Sequence, residues 1–391
     1  MGRPKALRAG AVPRRVTDVR VVAATGLAAR ARTPSLTQVI SPEGIAQGAV
    51  TLPAPALVAL FRAMLLGREL DERMMGLQRQ GRIGFYVGAT GEEAAIVGTT
   101  AAMEEQDWLF PCYREHVAAL MRGMPLATLV CNMLGNSGDV VRGRQMPCHE
   151  TWRPGRFTSV SAPLATQLPH AVGAALAARL RGDDMVALTW FGDGATSATD
   201  FHVALNFAGT SRAPVVFACR NNGWAISTPR ELQTASETIA QKATAYGIHA
   251  ERVDGNDVLA VHEATRRARS RAGRGEGATL LELVTYRVGS HTSSDDPRAY
   301  RDERLVEPWK KRDPILRLAR FLRREGILSE NDESELRESV REAVQEAIRT
   351  AESQPPRPTE ESLFEDVYAE PQWQQREQIG ELRGQGLTTG G

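Results

Sequence analysis

Hydrophobic positions along the chain follow two alternating patterns, one typical of helices and one typical of buried strands. Apolar residues at helical spacing after two prolines predict an amphipathic helix over residues 56–75, and a second, alanine-rich helix is predicted over residues 167–180. Short apolar runs at residues 186–191, 214–219 and 280–286 predict buried strands. Because helices and strands alternate, the sequence predicts an α/β fold with a doubly wound, mainly parallel sheet.

The same pattern divides the chain into three regions. We expect residues 1–50 to form a flexible basic arm, residues 51–310 to form the α/β domain, and residues 311–391 to form a helical extension and tail. In the last region an apolar residue recurs every four positions after Ser329, which predicts a capped, surface-packed helix that ends near Thr350.

The overall charge is balanced, with 48 Lys and Arg against 47 Asp and Glu. We therefore expect no nucleic-acid partner, and no membrane partner because no run reaches the roughly 20 apolar residues that a membrane span requires. Residues 1–40 are an exception, with eight basic residues against the single acid Asp18. We interpret this segment as the arm of a bacterial-type cytoplasmic protein; the alternative, a transit peptide, would place the protein in the mitochondrial matrix.

The four cysteines lie far apart and include no CxxC pair, which argues against a zinc knuckle or a disulfide framework. His149 beside Cys148 has no further ligands at zinc spacing. We therefore interpret this pair as structural.

A Gly-Asp-Gly turn at residues 192–194 follows the strand predicted at residues 186–191. Two phosphate-binding motifs do not fit the sequence. A dinucleotide fingerprint would need a third glycine where Ser197 stands. The nearest Walker loop, at residues 76–83, has Arg82 in place of the lysine.

A magnesium diphosphate site fits better. Asp193 and Asn222 follow two neighbouring strands, and the Gly-Asp-Gly and Asn-Asn-Gly motifs that contain them are separated by the 26 residues 195–220, so both should emerge at one edge of the sheet. A single carboxylate and amide oxygens suit a cation that keeps phosphates as its other ligands. A helix predicted to begin near Thr196 would offer free N–H groups to phosphate, and Arg220 would add a charge-assisted hydrogen bond.

These residues resemble the thiamine diphosphate motif, and the run CRNNGWAISTP narrows the resemblance to α subunits of 2-oxo acid dehydrogenase complexes. Four further blocks resemble the branched-chain type more than the pyruvate type: LQRQGRIGFY, YRE, SAPLATQLPHAVGAA and YRVGSHTSSDDPRAYR. The resemblance extends from about Leu57 to Tyr368. It implies the thiamine diphosphate-binding fold and decarboxylation of 3-methyl-2-oxobutanoate and related 2-oxo acids, with acyl transfer to lipoyl. The alternative is a pyruvate or acetoin dehydrogenase α subunit.

The resemblance also implies site residues. Magnesium ligands would be Asp193, Asn222 and the main-chain carbonyl of Trp224. A potassium-binding turn would contain Ser161, Pro163, Thr166 and Gln167. The cofactor contacts would come from Tyr113, Arg114, Ser161, Leu164, Gly192, Asp193, Gly194, Ala195, Arg220, Asn222 and His291. Leu164 would lie under the cofactor, and His291 is the implied catalytic residue that assists acyl transfer.

Some positions depart from the family pattern or allow another interpretation. Cys112 stands where a glutamine is expected, Trp224 replaces a tyrosine, and Thr292 stands where mitochondrial relatives carry a phosphorylated serine, so phosphorylation here is a hypothesis. Asp193 alone could cap a helix, but its distance from Asn222 favours the metal site. A polar loop after a strand favours a functional role for His291 over a core position.

The chain contains one predicted α/β domain, at about residues 57–292, and the remainder is too short and too helical for a second. The resemblance implies that the second domain comes from a β subunit, in an assembly of two α and two β chains with the cofactor between unlike chains. A lipoyl-bearing dihydrolipoyl acyltransferase would be a further partner. Two alternatives come from other functional classes: an assembly subunit without turnover and a nucleotide-binding module. Competition of thiamine diphosphate with ATP or NAD would distinguish the nucleotide-binding module from the enzyme.

Overall fold

A computed structural model describes residues 35–355, 364–365 and 368–384. Its central feature is a five-stranded sheet in the order β1-β2-β3-β7-β6, in which every neighbouring pair is parallel. A separate antiparallel ribbon joins β4 and β5. The strands are β1 (Trp108–Phe110), β2 (Ala187–Gly192), β3 (Val215–Asn221), β4 (Trp224–Ala225), β5 (Thr228–Pro229), β6 (His249–Asp254) and β7 (Thr279–Val284).

Helices connect the strands and cover the sheet. They are α1 (Ala54–Arg79), α2 (Glu93–Ala101), α3 (His116–Met121), α4 (Leu126–Leu134), α5 (Gln167–Arg181), α6 (Thr199–Ser211), α7 (Val258–Gly273), α8 (Glu307–Lys310), α9 (Pro314–Arg324), α10 (Glu330–Glu352) and α11 (Trp373–Gly384). In the described part of the chain, no helix combines the length and the apolar character that crossing a membrane would require.

The sheet is buried on both faces, as the long apolar runs predict. Along β2, Leu188 and Trp190 face a core that includes residues of α1, α2 and α7, whereas Phe191 faces a second core with Phe201 of α6. The predicted doubly wound α/β fold is therefore confirmed. The carboxyl ends of β2, β3 and β7 lie side by side at one edge.

One predicted α-helix starts three residues later than expected. Thr196 lies in a 3-10 helix formed by residues 193–197, and Ala198 is extended, with φ −80° and ψ 147°. Helix α6 therefore begins at Thr199. The 3-10 helix begins at Asp193, directly after the last residue of β2, so Asp193 lies at the sheet edge.

The predicted boundary of the flexible arm at residue 50 was also wrong. Thr37 forms a parallel bridge with Val253, and Ile40 is fully buried. The backbone N–H groups of Val39 and Ile40 donate to Asp257 Oδ2 at 2.7 and 2.8 Å. These contacts stabilise the segment against the domain; residues 1–34, which carry most of the basic charge, lie outside the described residues.

The predicted capped helix is α10. Ser329 accepts from the backbone N–H of Asp332 at 3.1 Å, and the Asp332 carboxylate accepts from the backbone N–H of Ser329 at 2.9 Å, which completes a capping box. Val340 of α10 and Leu318 of α9 are buried in the same core as α1. The helical extension is therefore part of one packed unit with the α/β domain.

Candidate functional site

The register of the sheet places the predicted magnesium ligands next to each other. Gly192 of β2 pairs with Arg220 of β3, so the turns that carry Asp193 and Asn222 leave the sheet together. Asp193 is only 1% exposed. Burial raises its pKa to about 6, although the hydrogen bond from Gln233 and the nearby backbone N–H groups of Asp193 and Asn222 act in the opposite direction. Its Oδ1 atom is buried with no hydrogen-bond partner among the described residues.

The Asn222 side chain is held at both ends. Its Nδ2 donates to Glu92 Oε1 at 2.8 Å, and its Oδ1 accepts from the backbone N–H of Trp224 at 3.1 Å. An amide oxygen has two lone pairs, so Oδ1 keeps one for a cation. Trp224 is itself buried, and its ring packs against Tyr300 with centroids 5.5 Å apart.

Arg220 lies in a buried cluster of opposite charges. Its Nη1 donates to Glu92 Oε2 at 2.6 Å, and its Nη2 forms an ion pair with Glu115 Oε1 at 2.5 Å. All three side chains are at most 2% exposed. Nε of Arg220 is buried and lacks a partner within the described residues, so its N–H group is available to a further acceptor.

Glu92 and Glu115 are site residues that the sequence interpretation missed. Glu92 contacts two predicted cofactor residues, Arg220 and Asn222, and its Oε1 lies 3.8 Å from Arg114 Nε. A signal was present, because an arginine at the end of a buried strand needs a nearby carboxylate. The sequence offers many carboxylates, and only the fold identifies these two.

The segment after β7 brings His291 to the same edge. Backbone N–H groups of Thr285 and Arg287 donate to the carbonyls of Asn221 and Asn222 at 2.9 and 3.2 Å, which extends the β3–β7 pairing beyond the strands. The loop that carries His291 therefore begins beside the Asn222 turn.

Tyr113, Arg114 and His291 lie together, as the resemblance implies. Arg114 Nη2 lies 3.1 Å from His291 Nδ1 and donates to the His291 carbonyl at 3.0 Å, while Arg114 Nη1 donates to the Gly88 carbonyl. The Tyr113 ring meets His291 edge-on, with centroids 6.1 Å apart. In this arrangement Arg114 positions the histidine directly.

The surroundings of His291 determine its protonation. A guanidinium can only donate, so Nδ1 accepts from Arg114 and the ring hydrogen is assigned to Nε2. Burial, Arg114 and Arg287 lower the pKa of His291 to about 4. Its backbone N–H donates to Asp295 Oδ2 at 2.7 Å. At neutral pH His291 is therefore an uncharged ring that can donate through Nε2.

We expect His291 to make the folded protein sensitive to acid. An unfolded histidine has a pKa of about 6.5, so between that value and about 4 the unfolded chain binds a proton that folded His291 does not. Stability should therefore fall as the pH drops through this window. The measurement compares melting temperatures at pH 7 and pH 5 for the wild type and for His291→Gln. The melting temperature should fall more between pH 7 and pH 5 in the wild type than in His291→Gln. Equal falls in the two proteins would contradict the assigned pKa.

The turn predicted to bind potassium precedes α5. Gln167 is buried and its Nε2 donates to the Trp190 carbonyl at 2.7 Å, which joins the turn to β2 and hence to the strand that ends at Asp193. Ser161 is half-buried, Pro163 is exposed, and Leu164 is 53% exposed. The Gln167 contact is the link between this turn and β2, and the potassium role and the Leu164 contact stay predictions.

The departures from the family pattern have simple local surroundings. Cys112 is buried, and burial raises the pKa of its thiol to about 12, so the thiol stays protonated. The Thr292 hydroxyl accepts from the backbone N–H of Ser294 at 3.2 Å, and its phosphorylation stays a hypothesis. His149 Nδ1 lies 3.1 Å from the Pro147 carbonyl. No group of three His, Cys, Asp or Glu that could hold a metal occurs within the described ranges.

The parallel sheet and the polar cluster at its carboxyl edge define a doubly wound α/β protein of the class whose ligand sites lie at that edge. Residues 61–360 match the family described as Dehydrogenase E1 component. The chain belongs to this family.

Relatives are similar over most of the chain. The Arabidopsis thaliana protein named 2-oxoisovalerate dehydrogenase subunit alpha 2, mitochondrial, is 44% identical over 322 residues, which cover 82% of this chain and 68% of the relative. The human 2-oxoisovalerate dehydrogenase subunit alpha, mitochondrial, is 43% identical over 328 residues, with 84% and 74% covered. The Caenorhabditis elegans protein of that name is 42% identical over 325 residues, with 83% and 75% covered. The predicted branched-chain resemblance is confirmed.

Proposed function

We propose that this chain is the α subunit of a branched-chain 2-oxo acid dehydrogenase. The assembly would decarboxylate 3-methyl-2-oxobutanoate and related 2-oxo acids and transfer the acyl group to lipoyl. The observation that carries the proposal is the cluster of Asp193, Asn222 and Arg220 beside His291, in a chain 44% and 42% identical to two proteins named 2-oxoisovalerate dehydrogenase subunit alpha. Pyruvate and acetoin alternatives have less support, because the relatives carry the branched-chain name.

The described residues fit a magnesium-bound diphosphate. Asp193 Oδ1 is a buried acceptor and Arg220 Nε a buried donor, and both lack a partner within the described part of the chain. These are the groups that a cation and a phosphate oxygen would satisfy. In the proposed site Asp193, Asn222 and the Trp224 carbonyl hold Mg²⁺, while Arg220, Arg114 and Tyr113 face the diphosphate.

Other cofactor contacts follow from the family match. We propose that Gly192, Gly194 and Ala195 let the backbone approach the cofactor, that Leu164 lies under it, and that the turn with Ser161, Pro163, Thr166 and Gln167 binds K⁺. Thiamine diphosphate, when bound, supplies the reactive carbon and accepts electrons as carbon dioxide leaves. His291 presents an uncharged Nε2–H group at the site edge, which would donate a hydrogen bond during acyl transfer to lipoyl.

The proposed partners are a β subunit, in a two-α two-β assembly, and a lipoyl-bearing dihydrolipoyl acyltransferase. The exposed apolar surface of α6 supports a protein partner. Val203 and Phe207 lie one turn apart on this helix and are 54% and 56% exposed. The Arabidopsis thaliana and human relatives are mitochondrial by name, which is compatible with a mitochondrial location for this chain. The basic residues of the N-terminal arm lie at positions 1–34, outside the described residues.

The first test is substrate preference. We expect the chain, co-expressed with its β partner and supplied with thiamine diphosphate and Mg²⁺, to decarboxylate 3-methyl-2-oxobutanoate with a kcat/KM at least about 10-fold above that for pyruvate, because additional methyl groups in a fitted apolar pocket have effects of this size. A preference for pyruvate would favour the alternative dehydrogenase. Cofactor binding without turnover of any 2-oxo acid would favour an assembly subunit.

A further inference from the structure

We infer that Gln233 is a positioning residue of the magnesium site. It acts by orienting the carboxylate of Asp193. This inference rests on the proposed function, since it concerns the same metal site. Gln233 lies 40 residues after Asp193 and outside every block that resembles the family.

The hydrogen bonds of Gln233 identify which end of its amide meets Asp193. Its Nε2 donates to Asp193 Oδ2 at 2.7 Å and to the Thr228 carbonyl at 3.0 Å. A carboxylate oxygen and a carbonyl oxygen are acceptors, so the nitrogen must face both. Both amide hydrogens are used, and the amide group therefore has one favoured orientation.

This contact differentiates the two oxygens of Asp193. Oδ2 is occupied by the Gln233 amide, whereas Oδ1 is buried with no partner among the described residues. The terminal torsion of a carboxylate is broad and its two oxygens are equivalent, so an unsupported carboxylate could turn its plane through a wide range of angles. Gln233 holds the side chain with Oδ1 as the oxygen available to a cation.

The segment that carries Gln233 connects both metal-binding turns. The backbone N–H of Gln233 donates to the Arg230 carbonyl at 3.0 Å, and the backbone N–H of Arg230 donates to the Gly223 carbonyl at 3.0 Å, immediately after Asn222. Gln233 itself reaches the Asp193 turn. It therefore ties the position of the Asp193 carboxylate to the turn that supplies the second proposed ligand.

A magnesium titration of the assembled protein tests the inference. In the α–β assembly, with thiamine diphosphate saturating, calorimetry measures the apparent dissociation constant for Mg²⁺. Loss of a residue that orients a metal ligand commonly weakens metal binding about 10- to 100-fold, and this is the increase expected for Gln233→Ala. At high Mg²⁺ the variant should still bind thiamine diphosphate with the affinity of the wild type, a recovery that general damage to the site would not allow.

Gln241 offers a matched control in the same segment. Its Oε1 accepts from the backbone N–H groups of Glu237 and Thr238 at 3.1 and 3.4 Å, and these bonds do not involve Asp193. We expect Gln241→Ala to leave the Mg²⁺ dissociation constant unchanged.

Three results would overturn the inference. They are an unchanged Mg²⁺ dissociation constant in Gln233→Ala, an equal weakening in Gln241→Ala, and tighter Mg²⁺ binding by Gln233→Glu, which would make position 233 a ligand position. Failure of the proposed function is distinguishable, because the wild-type assembly itself would then show no Mg²⁺-dependent binding of thiamine diphosphate.

Discussion

Asp193→Ala is expected to raise the apparent dissociation constant for magnesium-dependent binding of thiamine diphosphate by more than about 100-fold. Loss of a residue that only orients a metal ligand costs about 10- to 100-fold, and the loss of a proposed ligand should cost more. The variant removes the buried Oδ1 acceptor that has no partner within the described residues. Calorimetry on the α–β assembly, with the cofactor titrated at fixed Mg²⁺, measures the effect.

The variant should remain folded. Asp193 is buried, which raises its pKa to about 6 and disfavours its charged form, so we expect the chain without metal to keep its stability when the carboxylate is removed. Asp200, in the first turn of α6, supplies a control because Asp200→Ala removes a nearby carboxylate outside the proposed ligand set. Cofactor affinity in Asp193→Ala close to that of Asp200→Ala would remove Asp193 from the metal site.

Arg317→Ala is expected to lower the free energy of unfolding by about 3–5 kcal/mol, the cost of removing one partner from a buried ion pair. Arg317 is fully buried in α9. Its Nη1 donates to Asp254 Oδ2 at 2.9 Å, its Nη2 lies 3.4 Å from Asp257 Oδ2, and it also donates to the Ile40 carbonyl. The substitution leaves two buried carboxylates without their cation and releases the segment at residues 37–47.

Thermal and urea unfolding of the assembly at pH 7 would measure this loss. Arg320, on the same helix, is the matched control: it is exposed, and its Nη1 donates to the Pro42 carbonyl at 3.0 Å. Arg320→Ala should cost no more than about 1 kcal/mol, as for most exposed charged groups. Equal losses of unfolding free energy in the two variants would mean that the buried contacts of Arg317 with Asp254 and Asp257 do not hold the C-terminal extension and the N-terminal segment together.

The strands that sequence analysis identified are the central ones. Residues of β2, β3 and β7 are almost entirely buried, so they read as apolar runs. The two outer strands of the five-stranded sheet were missed, as was the β4–β5 ribbon. β1 has only three residues, and β6 lies at the sheet edge, where four of its six residues are polar and His249 is exposed. Neither carries a local pattern that differs from a loop.

The boundary of the N-terminal arm, predicted at residue 50, was wrong for a similar reason: no local pattern in the sequence marks it. Pairing of Thr37 with Val253 joins residues more than 200 positions apart, and no periodicity within residues 35–50 signals it. The helix expected near Thr196 was displaced to Thr199 because the turn must first place Asp193 at the edge of the sheet.

By itself the sequence determined the fold class, the Asp193–Asn222 spacing and the block of motifs that identify the family, because each of these depends on residues close together in the chain or on one strand–helix–strand interval. Only the tertiary structure decided which side chains hold the site in place. Glu92, Glu115 and Gln233 reach Arg220 and Asp193 from distant segments, and folding brings them there because buried charges and buried polar groups must be paired. That requirement is visible in the sequence, but the partner that satisfies it is chosen by the fold.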